Sequence, residues 1–255
     1  MKKINSLGII VLILFLSGCV SYKNIPYFQD LEGKGTIEEQ IENFSLIKIQ
    51  KDDVVAMTVS SLNMEASAIF NMGNTTSSSS GGGNSTNGFL VDQSGSVQLP
   101  LVGSIKIEGL TSIQARNLVQ EKLTKFLKEP VVSLRVVNFK VSVLGDVSRP
   151  GVYPVQSERA SVTDALSLAG DLNVTALRNN ILLIREDQGK RQFIRLDLTN
   201  RDIFNSPHYY LRNNDVLYIQ PGKSKVASSD VAYRNATLVL SALSVISVVI
   251  VRLFQ

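Results

Sequence analysis

The sequence of 255 residues contains no Trp, one Cys and one His. A lone Cys excludes an internal disulfide, and one Cys with one His leaves a zinc site short of its usual donors. The His, His208, stands in the strand-like stretch "SPHYYL", where surface or packing use is expected. No Gly-x-Ser-x-Gly elbow accompanies it, so Ser-His-Asp hydrolysis has no placed nucleophile. Charged residues make up 19% of the chain, and no Lys/Arg-rich cluster occurs, which argues against a nucleic-acid surface. Neighbouring acids such as Asp52–Asp53 are the nearest approach to a glycoside-cleaving pair, and adjacent turn acids are ordinarily just solvated. These shortages favour a chain that is not an enzyme and carries neither cofactor nor metal.

Apolar residues reach 44% of the chain, and the long apolar runs sit at its two ends. Met1 to Gly18 reads as a secretory leader: Lys2 and Lys3, the apolar stretch Leu7–Leu16, then small residues. "LSGC" at Leu16–Cys19 resembles the bacterial lipoprotein signal, in which cleavage precedes the Cys and the thiol carries lipid. Cys19 is therefore the expected attachment site. Val20 follows it with no acidic run, a pattern similar to that of lipoproteins sorted to the periplasmic leaflet of the outer membrane. The formal charge of +4, pI near 9.1, hints at an acidic partner.

Residues 19–44 mix polar residues and turn formers, as a tether would. "LIKIQKDDVVAMTVSS" predicts two short strands around a turn at Lys51–Asp53. "NTTSSSSGGGNSTNG", residues 74–88, has the composition of a flexible surface loop, and its Asn-x-Thr triplets are read as chance composition. A turn at Gln93–Gly95 is expected to join Phe89–Val91 to Val97–Leu99. Thr111 with Gln114 forms a capping box; Ala115, Val119, Leu123 and Phe126 fall on one helical face, and Pro130 ends that helix. "RPGVY" places Pro150 and Gly151 as a type II turn would. A second capped helix runs from Ser161, with Asp164 at its third position and Gly170 at its exit. "NNILLIRED", "RQFIRLDL" and "NDVLYIQP" predict three more strands. The fold class expected is α+β: two small strand-rich units, residues 45–137 and 138–222, then a linker 223–235 and a C-terminal membrane helix 236–255.

"VDQSGSVQLPLVGSIKIEGLTSIQARNLVQEKLTKFLKEPVVSLRV" resembles the core of the bacterial outer-membrane polysaccharide export family. "VSVLGDVSRPGVYPV", "SVTDALSLAGDL", "LLIRED" and "YLRNNDVLYIQP" resemble the soluble-ligand-binding β-grasp domain that follows it there. The resemblance spans roughly Leu46 to Gly222. This sequence departs from the family's pattern in three loops. A Pro-Gly-Asp turn common in the family reads Lys51-Asp52-Asp53, Ala-Gly-Gly reads Ala169-Gly170-Asp171, and Gly-Asp before the last strand reads Asn214-Asp215. What the resemblance implies is an outer-membrane lipoprotein, with its body in the periplasm, forming a ring-shaped homo-oligomer that exports capsular or exopolysaccharide. It also implies an inner-membrane polysaccharide copolymerase, often kinase-linked, as partner. A monomeric lipoprotein that binds glycan, or scaffolds an envelope assembly without conducting, is the alternative.

The terminal segment "NATLVLSALSVISVVIVRLFQ" bears on that choice. Steps of three and four from Asp230 reach Arg234, Thr237, Ser241, Ser244, Val248 and Arg252, a mostly polar seam on an otherwise apolar helix. From Ala236 to Val251 such a helix is about 24 Å long, short for an average bilayer and suited to a thinner one. It fits a lone membrane anchor whose hydroxyls bond to their own backbone, a buried helix of the soluble body, or one stave of a shared helical barrel with the seam facing water, as the resemblance implies.

Overall fold

The computed structural model describes residues 25–31, 33, 35–41, 47–71, 88–187 and 189–225, together with 235, 238–242, 244–246, 249 and 252. Two separate apolar cores organise them. In the first, β1 (Val54–Ser60) is the central strand, antiparallel to β2 (Phe89–Leu90) on one side and to β5 (Val131–Val136) on the other. Alternation along β1 turns Val55, Met57 and Val59 inward, against Val132 and Leu134 of β5. Helix α1 (Met64–Asn71) follows, and its Asn71 side chain pairs with both backbone groups of Val59 at 2.8 and 2.9 Å. The hairpin of β3 (Ser96–Leu99) and β4 (Gly103–Lys106) adds Val97, Leu99 and Ile105 to the core.

Helix α2 (Ser112–Leu123) begins as its sequence requires: Thr111 accepts from the Gln114 amide, and the Gln114 side chain accepts from the Thr111 amide. It buries Ala115, Val119 and Leu123. Phe126, expected on the same face, is 46% exposed. The helix stops at Thr124, whose hydroxyl bonds the Glu121 carbonyl at 2.6 Å; Leu127, four residues after Leu123 and bonded through its amide to the Leu123 carbonyl at 2.8 Å, is buried instead. Among the described residues 47–50, the strand expected before the turn at Lys51 is also absent. Lys48 makes only an isolated bridge to Thr111, while Ile49 exchanges backbone bonds with Gly109 and Leu110 ahead of α2. The turn at Gln93–Gly95 forms, yet β2 pairs with β1 and β3 with β4.

The second core lies under a five-stranded sheet of order β7-β6-β10-β8-β9. Its strands are β6 (Lys140–Gly145), β7 (Gly151–Pro154), β8 (Ala176–Asp187), β9 (Lys190–Leu196) and β10 (Val216–Pro221). β6 and β10 run parallel; the other pairs are antiparallel. Helix α3 (Val162–Leu168) carries the expected Ser161–Asp164 capping box and buries Val162, Ala165 and Leu166. Gly145 ends β6 at φ +94°, where a Cβ would stand 2.0 Å from the Ile219 carbonyl oxygen, so only glycine allows the parallel strands this approach. That residue also corrects the type II turn expected at Pro150–Gly151. The left-handed residue of the connection is Gly145, and Gly151 is already in β7 opposite Val143. The connection is held by Ser148 and Arg149 amides on the Asp171 and Ala169 carbonyls.

Candidate functional site

Two turns of one geometry meet where the cores meet. In Gln50–Asp53 the Asp53 amide bonds the Gln50 carbonyl at 3.3 Å, and the Gln50 amide returns a 2.8 Å bond to the Asp53 carboxylate. In Arg212–Asp215 the same pair of bonds measures 3.2 and 2.7 Å. The third residue of each, Asp52 and Asn214, is left-handed at φ 66°. The first turn delivers the chain into β1 and the second into β10. Asn213 joins them: its amide donates to Asp53 at 2.6 Å, and its carbonyl accepts from the Lys140 amide at 3.1 Å. Asn138, in the link from β5 to β6, accepts from the Val54 amide at 2.8 Å and donates to the Asp52 carbonyl at 2.9 Å. Three side chains, Asp53, Asn138 and Asn213, thus stitch the two cores together.

The two carboxylates differ in their surroundings. Asp215 is buried against Arg185, with contacts of 2.6 and 3.0 Å, and Arg185 also donates to the Tyr210 carbonyl. Asp53 is 2% exposed, which corrects the expectation of a solvated turn acid. Burial raises its carboxyl above the usual range, only partly offset by the Gln50 and Asn213 hydrogen bonds. His208 lies in a turn, half-buried, rather than in a strand. Burial, then Arg185 and Arg212, lower its pKa, and its Nδ1 is buried with no hydrogen-bond partner among the described residues.

Around this joint opens a cleft of about 1180 Å³. Lys48, Lys51 and Glu108 line one wall; Lys190, Tyr210 and Arg212 line the other. Exposed pairs Arg191–Glu186 at 2.5 Å and Arg212–Asp187 at 2.8 Å stand at its margin, and Arg159 lies 5.4 Å from the centre of the Tyr210 ring. Polar walls with one aromatic face suit a hydroxyl-rich or charged ligand better than an apolar one. Among the described residues no His, Cys, Asp and Glu side chains gather as metal ligands.

The sequence pattern of the polysaccharide biosynthesis/export protein family matches residues 43–137, and that of the SLBB domain matches 140–194. The chain belongs to the polysaccharide export family. Two curated relatives are each called "EPS I polysaccharide export outer membrane protein EpsA". The one from Ralstonia solanacearum is 26% identical over 165 residues, covering 60% of this chain and 44% of the relative. The one from Ralstonia nicotianae is 26% identical over 168 residues, 62% of this chain and 44% of the relative. The chain thus spans less than half the length of these relatives. Its three departures from the family's loop pattern leave the backbone in the conformation glycine favours: Asp52, Asp171 and Asn214 have φ of 66, 71 and 66°.

The second core also gathers both ends of the described body. Residues 19–44 are not all tether. Phe28 and Gln29 bond the Leu198 and Thr199 carbonyls at 3.1 and 2.7 Å, and Arg201 pairs with Asp30 at 3.2 Å and Glu39 at 2.6 Å. The Tyr27 hydroxyl donates to Asp171, and the Arg178 guanidinium lies 5.2 Å from the Tyr27 ring centre. Burial first, then Asp171, push the Tyr27 phenol up. Nearby, fully buried Asp146 accepts from Asn173 at 2.8 Å, from Thr175 at 2.6 Å and from Lys225. Burial alone would raise the Asp146 carboxyl; the Lys225, Thr175 and Asn173 hydrogen bonds outweigh it and hold the group below its usual range.

Cys19, Arg234, Thr237 and Val248 lie outside the described residues. Ser241, Ser244 and Arg252 are helical and exposed, and the hydroxyls of Ser241 and Ser244 donate to the carbonyls of Leu238 and Ser241 at 2.8 and 3.0 Å. No helix among the described residues is long and apolar enough to cross a membrane, so the expected terminal membrane helix finds no support in them. Asn138, Asn213, Lys225 and Tyr27 were not singled out from the sequence. One signal was available: "KDDV" and "NNDV" repeat the same turn ahead of a strand.

Proposed function

We propose that this chain is a subunit of an outer-membrane polysaccharide export channel, its body in the periplasm and its Cys19 acylated. The observation that carries the reading is the family match laid along both cores in order, export unit then SLBB unit, at residues 43–137 and 140–194. The relatives' description as polysaccharide export outer membrane proteins supports the compartment and the cargo class. Several acyl chains on Cys19 would hold each copy firmly, at about 0.8 kcal/mol per buried methylene. Copies would then close into a ring, with residues 236–255 of each standing side by side in the membrane and the seam from Arg234 to Arg252 toward water. The stitched joint at Asp53 and Asn213 gives each copy one orientation of its two cores, which a closed ring needs. An inner-membrane polysaccharide copolymerase is the partner this arrangement would receive from below.

Ser241 and Ser244 satisfy their hydroxyl protons within the helix. The test is the mass and the axial view of the detergent-extracted particle: a closed ring of copies is expected, and a monomer ends the reading. Replacing Ser244 with Trp is expected to lower surface polysaccharide in intact cells; unchanged export would indicate a scaffold that does not conduct. The cleft beside Tyr210 favours a second reading, a lipoprotein that binds glycan without conducting. It predicts saturable binding of the extracted monomer to the cell's own polysaccharide, lost on replacing Tyr210 with Ala.

A further inference from the structure

Both routes toward the membrane leave from one loop of the second core. Tyr27, held by Asp171, follows Cys19 by eight residues, a span of at most about 29 Å when fully extended. Lys225 bonds Asp146, which also holds Asn173 and Thr175, and the Gly222 amide bonds the Thr175 carbonyl at 2.7 Å. The chain after Lys225 leads to the apolar segment 236–255. The loop Asp171–Thr175 is therefore where both connections begin.

What that end of the core exposes fits the position. Val174 is 69% exposed and Leu168, at the end of α3, 43%. Arg149 and Lys223 are exposed beside them, Arg149 reaching the Leu168 carbonyl. Asp171, an acid at this surface, is engaged by Tyr27 and by the Leu172 amide. The backbone beneath is fixed by bonds from Ser148, Arg149 and Asn173 to Asp171, Ala169 and Asp146. The result is a rigid rim of two apolar tips and two cations.

We propose that this rim, Arg149, Leu168, Val174 and Lys223, rests against the anionic headgroup layer of the membrane to which the chain is anchored. The inference rests on the lipid-anchored reading above. Two cations and two apolar tips bind weakly alone, but a tether this short holds them at high effective concentration, so a weak contact is enough to orient the body. The first core then points away from the lipid.

The test uses full-length protein, whose native thiol is acylated, reconstituted in vesicles of phosphatidylethanolamine with a minority of phosphatidylglycerol and a headgroup-nitroxide lipid. A fluorophore is attached through Val174→Cys, through Leu168→Cys as a second reporter of the rim, and through Met64→Cys on α1 of the first core. Quenching is expected to be several-fold stronger at both rim positions than at 64, and to fall in an Arg149→Glu/Lys223→Glu background. Equal quenching at rim and α1, or none at the rim, overturns the proposal. Mass spectrometry of the N-terminal peptide reads acylation separately, and a bare Cys19 overturns proposal and premise together. A monomeric particle still quenched at the rim ends the channel reading and supports this one.

Discussion

The turns Gln50–Asp53 and Arg212–Asp215 share a backbone and differ in what answers their carboxylate. Asp215 finds Arg185 inside its own core, whereas Asp53 reaches across to Asn213 of the other core. The same turn therefore serves internal stability in one place and coupling between cores in the other. The largest effect should come from the first. Arg185→Met leaves Asp215 buried without its cation, and losing one partner of such a pair costs about 3–5 kcal/mol. Urea unfolding should show the loss; a change within a few tenths of a kcal/mol would mean the pair is not buried as described.

The coupling between the cores should respond more mildly and in a different observable. Asn213→Ala removes the bond to Asp53 and orphans the Lys140 amide, a cost of about 1–3 kcal/mol. Because the lost bonds lie between cores, the unfolding transition should broaden or split, which Arg185→Met should not cause. Asp53 adds a pH signature. Its carboxyl titrates higher in the folded chain than in the unfolded one, so folding takes up a proton as pH falls. Its contribution to stability is full below the unfolded value, about 4, and is lost as pH rises through the folded value. Asp146 runs the opposite way: its carboxyl is lowered, so its contribution is present above about 4 and lost as pH falls through the folded value. Relative to wild type, Asp53→Asn should therefore look worst below about pH 4 and improve as pH rises toward neutrality. A constant difference across that range would refute the assignment.

The contrast between the turns also marks what sequence reasoning could see. Local rules were legible: both capping boxes, the buried face of α2 through Leu123, and the strands after Gly170 follow from spacing and side-chain chemistry. Rules that need a distant partner were not. Asp53 looked like a solvated acid because nothing in "KDD" reveals Asn213, 160 positions away. Phe126 was misplaced because steps of three and of four from Leu123 both fit a helical face, and the step of four, Leu127, is the one that is buried. Gly151 was read as the left-handed residue of its connection because Pro-Gly favours that turn, while the strand contact that demands glycine at Gly145 lies with Ile219. Tyr27 and Lys225 escaped notice because polar, turn-rich segments read as linkers until their partners Asp171 and Asp146 are in place.

The smallest effects lie in the left-handed positions themselves. Asp52, Asp171 and Asn214 occupy backbone that glycine favours, and Asn and Asp are the side chains that tolerate it best. Asn214→Gly relieves the Cβ but frees the unfolded chain, and the two changes oppose each other within about 1 kcal/mol. Asn214→Ala keeps the Cβ without the polar side chain that makes the conformation tolerable, a loss of about 1 kcal/mol. At Asp171 the balance shifts, because its carboxylate also holds Tyr27 and the Leu172 amide. Asp171→Gly should thus cost more than Asn214→Gly although both relax the same φ. Equal melting temperatures for the two glycine variants would show that the Tyr27 contact adds nothing to the folded state, and would leave the N-terminal stretch held by its backbone bonds to Leu198 and Thr199 and by the Arg201 pairs with Asp30 and Glu39.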